Sequence, residues 1–183
     1  MNDLVGSITL PDALPLRVRP LHNSDAGLLS ELYARLTPNT RYLRFFSMMP
    51  QLPDSVLDAL LNVDCRRRVA LVAECDGTVV GLGSFGAIDD ESAEVALVVC
   101  DEWQRRRLGT ALAMRVLAAA ERRGFHRFVA HVLSTNDAAR RLVRSVGTVL
   151  SWRMHGGVTE LVFVRRDVSL TVPSGPPRAA AGA

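Results

Sequence analysis

Lysine is absent from this chain: all 22 basic residues are arginine, set against 19 Asp and Glu. The absence reads as compositional drift in a GC-rich genome. The formal net charge of +3 is too small to mark nucleic acid as the main partner. Cysteine is scarce, and Cys65, Cys75 and Cys100 lack metal-ligand spacing. They are expected to be free thiols in a reducing compartment, with no metal bound. No basic segment followed by an apolar run opens the chain, so no signal peptide is expected. No stretch approaches the roughly 20 apolar residues that span a bilayer. Together these absences predict a cytoplasmic protein that engages neither membrane nor nucleic acid.

The composition is that of an ordinary globular protein. The chain has 183 residues, of which 48% are hydrophobic and 22% charged, enough for one domain with a proper core. Residues 1–15 are expected to be a flexible leader. Residues 167–183, with Pro173, Pro176, Pro177 and a run of alanine, are expected to be a disordered tail. Between them, 16–20 predicts a short strand. Asn23-Ser24-Asp25 can cap a helix carrying Leu28, Leu29, Leu32 and Leu36. Thr37-Pro38 opens a second helix and Pro53-Asp54-Ser55 a third. The period then changes. Segments 69–74 and 78–87 form a hairpin turned at Asp76-Gly77, and 94–99 follows as a further strand. Helix 108–123 shows three- and four-residue apolar spacing and stops at Gly124. Strand 127–133, helix 136–146 and a terminal hairpin of 148–152 with 159–165 complete the order. This predicts an α/β fold with a mixed central sheet of about six to seven strands and flanking helices.

One segment carries more chemistry than the rest. An apolar strand ending in Val98-Val99 meets a short loop, Cys100-Asp101-Glu102-Trp103-Gln104-Arg105-Arg106-Arg107, and then a helix starting at Leu108-Gly109-Thr110. Backbone N–H groups and positive charge at a helix N-terminus make an anion site. The competing reading, a solvated basic patch, does not account for the position between strand and helix.

These residues resemble the Gcn5-related N-acetyltransferase (GNAT) family, over about 16–166. Gln104-Arg105-Arg106-Arg107-Leu108-Gly109 is similar to that family's Gln/Arg-x-x-Gly-x-Gly/Ala signature, with Arg107 where glycine is usual. Asn136-Asp137-Ala138-Ala139-Arg140-Arg141-Leu142 resembles its Asn-x-x-Ala-x-x-Leu helix, with Val143 where a tyrosine often serves as general acid. Residues 36–46 are similar to the N-terminal helices of bacterial protein lysine acetyltransferases of the Pat type, in their catalytic domain alone. The resemblance implies acetyl-CoA as acyl donor. It implies Val98, Val99, Gln104, Arg105, Arg106, Arg107, Leu108, Gly109, Thr110 and Asn136 as the residues that bind it, with a backbone N–H near Val98 or Val99 facing the thioester oxygen. It implies direct transfer, with Glu94 as the general base that takes a proton from the acceptor amine; Glu91 and then Glu74 are fallbacks. The expected acceptor is a protein lysine, acyl-CoA synthetases among the candidates. A small amine and a non-catalytic CoA-sensing module are the alternatives. A homodimer is left open. Cys100 as an acyl carrier and Tyr42 or Arg44 lining an acceptor groove are weaker expectations. His22, His126, His131 and His155 are expected to be surface or core residues without a catalytic partner.

Overall fold

A computed structural model describes residues 4–11 and 15–166. The eight strands form one sheet in the order β1-β2-β3-β4-β5-β6-β8-β7. They are β1 Gly6–Thr9, β2 Pro15–Pro20, β3 Arg68–Cys75, β4 Thr78–Ala87, β5 Ser92–Val99, β6 Arg127–Leu133, β7 Gly147–His155 and β8 Val158–Arg165. The helices are α1 Ala26–Arg35, α2 Pro38–Phe45, α3 Asp54–Leu61, α4 Leu108–Glu121 and α5 Asp137–Val146. Every pairing is antiparallel except β5 with β6. The mixed α/β architecture is as expected, with one strand more than the upper count.

The added strand is β1, inside the segment expected as a flexible leader. Leu4, Ile8 and Leu10 bury their side chains in the core beneath α4, and Arg115 of α4 donates a hydrogen bond to the Ser7 carbonyl at 2.7 Å. A four-residue edge strand has too little periodicity to announce itself; packing on a distant helix creates it. The expected tail lies outside the described residues.

Two apolar layers sandwich the sheet. On one face Leu112, Val116 and Leu117 of α4 pack with Phe128 and Phe163. On the other Leu29, Leu32 and Tyr33 of α1 pack with Val72, Leu82 and Val98. A glycine sets how closely α4 approaches: a Cβ on Gly83 would stand 2.8 Å from Val116 Cγ2 and 3.2 Å from Leu112 Cγ. That close seat holds the N-terminus of α4 beside the end of β5.

A buried charge cluster ties β2 to β3 and to the start of α1. Arg19 Nη1 donates to Asp25 Oδ2 at 2.6 Å, and its Nε donates to Glu74 Oε1 at 3.0 Å. The hydrogen bond from Arg19 holds the Asp25 carboxyl below its ordinary value, against the opposing effect of burial. The stability this supplies is present above the unfolded carboxylate value of about 3.9 and is lost as pH falls through the lower folded value. Replacing the guanidinium leaves two buried carboxylates unpaired, so Arg19→Met is expected to destabilise the fold by about 3 kcal/mol at pH 7 in urea unfolding. A loss under about 1 kcal/mol would show the cluster to be dispensable.

Candidate active site

The site forms where two parallel strands part. β5 and β6 pair only over Ser92–Glu94 and Arg127–Val129, with Glu94 opposite Val129 as the last pair. Beyond it β5 continues to Val99 held by β4 alone. Parallel strands whose C-terminal ends diverge, each followed by a helix, leave a crevice with two helix N-termini at its mouth. Here those helices are α4 and α5.

The phase of the β4–β5 ladder decides which backbone groups face the crevice. Ile88 donates to the Ser92 carbonyl at 2.9 Å and Cys100 donates to the Val80 carbonyl at 3.0 Å. Alternation then turns the N–H and C=O of Glu94, Ala96 and Val98 toward β4, and those of Val95, Leu97 and Val99 toward the gap. Val98 therefore cannot offer its N–H there, a correction to its expected role. Leu97, which sequence reasoning missed, does face the gap; alternation groups it with Val99, and the ladder with β4 sets the phase. The Val99 carbonyl is already engaged, accepting from Gln104 Nε2 at 3.1 Å.

That bond also corrects the expectation for Gln104. Its backbone N–H donates to the Asp101 carbonyl at 3.2 Å and its exposed side chain donates to the Val99 carbonyl, so it braces the loop. Asp101 does the same for α2. Its carboxylate accepts from the Thr37 N–H at 3.0 Å and from the hydroxyls of Thr37 and Thr40 at 2.8 and 2.7 Å. Burial works against this carboxylate, and the Thr37 and Thr40 hydrogen bonds outweigh it, leaving Asp101 below its ordinary value.

The arginine run takes an unusual backbone path. Arg105 has φ 58° and Arg107, the N-cap of α4, has φ 66° and ψ 2°. The left-handed region favours glycine, which explains why the family signature has glycine where this chain has Arg107. Arg105 and Arg107 are exposed, whereas Arg106 lies over the Trp103 ring at 4.5 Å. No side chain caps α4, and the first internal bond is Ala111 N–H to the Arg107 carbonyl. The N–H groups of Leu108, Gly109 and Thr110 thus point out of the helix end. Leu108's side chain is fully buried, leaving only its backbone for binding. A cleft of about 350 Å³ borders this first turn, with Ile8 to Pro11 on one wall and Arg107, Thr110 and Ala111 on the other. Gly109 faces the crevice: a Cβ there would stand 3.6 Å from Leu97 Cδ2, with Leu142 and Val99 each at 3.9 Å.

The left-handed arginine makes its own prediction. Holding a non-glycine residue at this φ costs roughly 1–2 kcal/mol. Arg107→Gly is expected to stabilise the protein by about 1 kcal/mol after the greater freedom of glycine in the unfolded chain is counted. Chemical denaturation checks it, and a destabilised variant would show that the arginine side chain itself anchors the loop.

Asn136 caps α5, its Oδ1 accepting from Ala139 N–H at 3.0 Å, which leaves its Nδ2 to donate outward. Val143 is buried in the core. Cys100 is fully buried and receives a 3.4 Å contact from Arg35 Nη2; burial pushes its thiol up, against a smaller pull from Arg35. A thiol so disposed is a poor acyl carrier.

Glu94 stands at the fork itself, its side chain 53% exposed on the face that carries α2. His131 of β6 lies against it, with Nδ1 3.1 Å from Glu94 Oε1. Arg44 of α2 is half-buried, with its Nε enclosed and unpartnered, stacks on Phe45 at 5.1 Å and feels the Glu94 charge, which partly offsets the lowering that burial imposes on the guanidinium. Glu74 is committed to Arg19, and Glu91 lies in the turn before β5, at the end away from the helix N-termini.

An acetyltransferase (GNAT) family model matches residues 29–148. The chain belongs to the acetyltransferase (GNAT) family. It is 29% identical over 146 residues to an acetyltransferase of Pseudomonas aeruginosa, covering 77% of this chain and 78% of that one. The fold superposes on the GNAT domain of S. lividans PAT with a TM-score of 0.83 and 28% identity, covering 88% of this chain and 97% of that one. A Salmonella typhimurium protein solved with its cofactor acetyl-CoA has the same fold, with a TM-score of 0.65 and 21% identity over 88% of this chain and 99% of that one. As a GNAT acetyltransferase, the chain is an acyl-transfer enzyme.

Proposed function

We propose that this protein transfers acetyl from acetyl-CoA to a protein lysine, by direct attack of the amine, with Glu94 as general base. The donor's diphosphate is held by the N–H groups of Leu108, Gly109 and Thr110 and by the charges of Arg105 and Arg107, where the helix dipole also favours an anion. Its pantetheine arm follows the crevice along β5, with Asn136 Nδ2 at the opposite wall. The Leu97 N–H faces the same crevice three residues beyond Glu94, about 10 Å along the strand. Val99 is about 16 Å away, so Leu97 is the better placed donor for charge that develops on the thioester oxygen.

A lysine amine is mostly protonated at neutral pH, so a carboxylate must take its proton, directly or through water. Glu94 stands where the crevice closes and is the group placed to do it. The tyrosine that often protonates the departing thiolate is replaced by buried Val143, which leaves that step to water.

The exposure of the base carries the choice of acceptor. The Glu94 side chain is 53% exposed on the face that carries α2, and Tyr42 of α2 (40% exposed) with Phe46 (39%) and Met48 (69%) just after it are open to solvent. An accessible carboxylate, with exposed apolar side chains on the neighbouring helix and loop, suits a lysine presented by a protein surface better than an enclosed small amine. The likeness of residues 36–46 to Pat-type enzymes and of 88% of the chain to the S. lividans PAT domain supports the same class. Three free thiols, two half-buried and one buried, suit a cytoplasmic location. A thiol-release assay with acetyl-CoA against acyl-CoA synthetases, lysine peptides and small amines tests the assignment. Release with protein or peptide acceptors is expected; release only with small amines would overturn the acceptor class. Since the chain contains no lysine, every acetyl-lysine detected belongs to the acceptor.

A further inference from the structure

A half-exposed glutamate with three rotatable bonds makes a poor base unless something orients it. The sheet supplies that partner. His131 stands two residues beyond Val129, the last β6 residue paired with β5, so it lies on the β6 arm where the fork has opened. Its ring reaches back across the fork: Nδ1 is 3.1 Å from Glu94 Oε1 and Nε2 is 3.5 Å from Glu160 Oε2. Glu160 is its direct cross-strand partner on β8, and Arg153 of β7 lies opposite Glu160 in turn. One polar row thus crosses four strands on the face of α2, with the imidazole 37% exposed between two carboxylates.

We propose that His131 is a positioning residue for Glu94. An ionised carboxylate only accepts hydrogen bonds, so the contact requires a proton on Nδ1. Donation from Nδ1–H to Oε1 fixes the carboxylate and turns its second oxygen toward the acceptor amine. Glu160 lies at the far edge of the ring, where its carboxylate accepts from Nε2 only when that nitrogen carries a proton too. An exposed contact of this kind adds little to stability, so its consequence falls on turnover, through the alignment of base and amine. The inference rests on Glu94 being the base, and the test separates the two claims.

Turnover is measured with acetyl-CoA and the lysine peptide that the wild-type enzyme acetylates fastest. His131→Leu is expected to lower kcat about tenfold while leaving KM for acetyl-CoA within about twofold. His131→Asn, whose side-chain N–H can replace Nδ1–H, is expected to recover kcat to within about threefold of wild type. In a Glu94→Gln background, His131→Leu should cause no further loss, because the group it orients is gone. Nitrogen NMR of the imidazole supplies a reading independent of any acceptor: the His131 Nδ1 signal should move in Glu94→Gln and stay in Glu91→Gln. An unchanged kcat in His131→Leu, equal losses for Leu and Asn, a further loss on top of Glu94→Gln, or an unmoved Nδ1 signal would each overturn the positioning role. Full turnover in Glu94→Gln alone would instead remove the base beneath it.

Discussion

Glu94→Gln is expected to lower kcat by about a hundredfold to a thousandfold, the range that loss of a general base produces, while the Kd for acetyl-CoA stays within about twofold of wild type. The amide is nearly isosteric with the carboxylate but cannot take a proton. Glu94 sits at the fork on the face of α2, whereas the proposed donor contacts lie along the gap edge of β5 and at the start of α4; removing its charge is therefore expected to leave donor binding intact. Raising the pH should restore activity in the variant, since more acceptor amine is then already deprotonated: log kcat should climb with pH toward the ordinary lysine value of about 10.4, more steeply than in the wild type. Stopped-flow or steady-state thiol release over a pH series, with calorimetry for acetyl-CoA binding, gives both readings. Unchanged turnover would exclude Glu94 as the base. Glu74 could not take over, because both of its hydrogen-bonding contacts run to Arg19.

Gly109→Glu is expected to weaken acetyl-CoA binding at least a hundredfold, about 2.8 kcal/mol, without unfolding the protein. A Cβ at this position meets Leu97, Val99 and Leu142 only at ordinary contact distances, so the fold accepts a side chain. A carboxylate in the first turn even suits the helix dipole. The same carboxylate occupies the mouth of the crevice and repels the donor's diphosphate, so the loss appears in binding alone. Gly109→Ala serves as the control for size, with a loss of tenfold or less. Calorimetric titration with acetyl-CoA, beside a thermal melt of each variant, checks both halves. Tight binding by the glutamate variant would place the diphosphate away from the start of α4.

The arginine loop was legible because its signals are local. A strand that stops, a run of cations and a helix that starts predict an anion site within a dozen residues, and the signature Gln104 to Gly109 stands in that stretch. The structure added that Arg107 bears the left-handed φ that glycine usually serves. Gln104 was misread because its type and position match a binding motif, whereas its hydrogen bonds run to Val99 and Asp101 within the loop. β1 was missed because its four edge residues owe their shape to pairing with β2 and to the burial of Ile8, with flanking Leu4 and Leu10, beneath α4.

Local sequence sufficed for the order of the longer elements, and it named the start of α4 as the expected anion site and Glu94, on the strand that leads to it, as the expected base. Each depends on residues close along the chain, where side-chain period and turn chemistry act directly. Only the folded sheet could decide that Leu97 and Val99, and not Val98, face the gap, since that depends on the register of β5 against β4. Only the folded sheet could bring His131 from β6 and Glu160 from β8 to the side of Glu94. Such pairs arise from the alignment of strands far apart in the chain, and a residue's own neighbours carry no trace of what lies across the sheet.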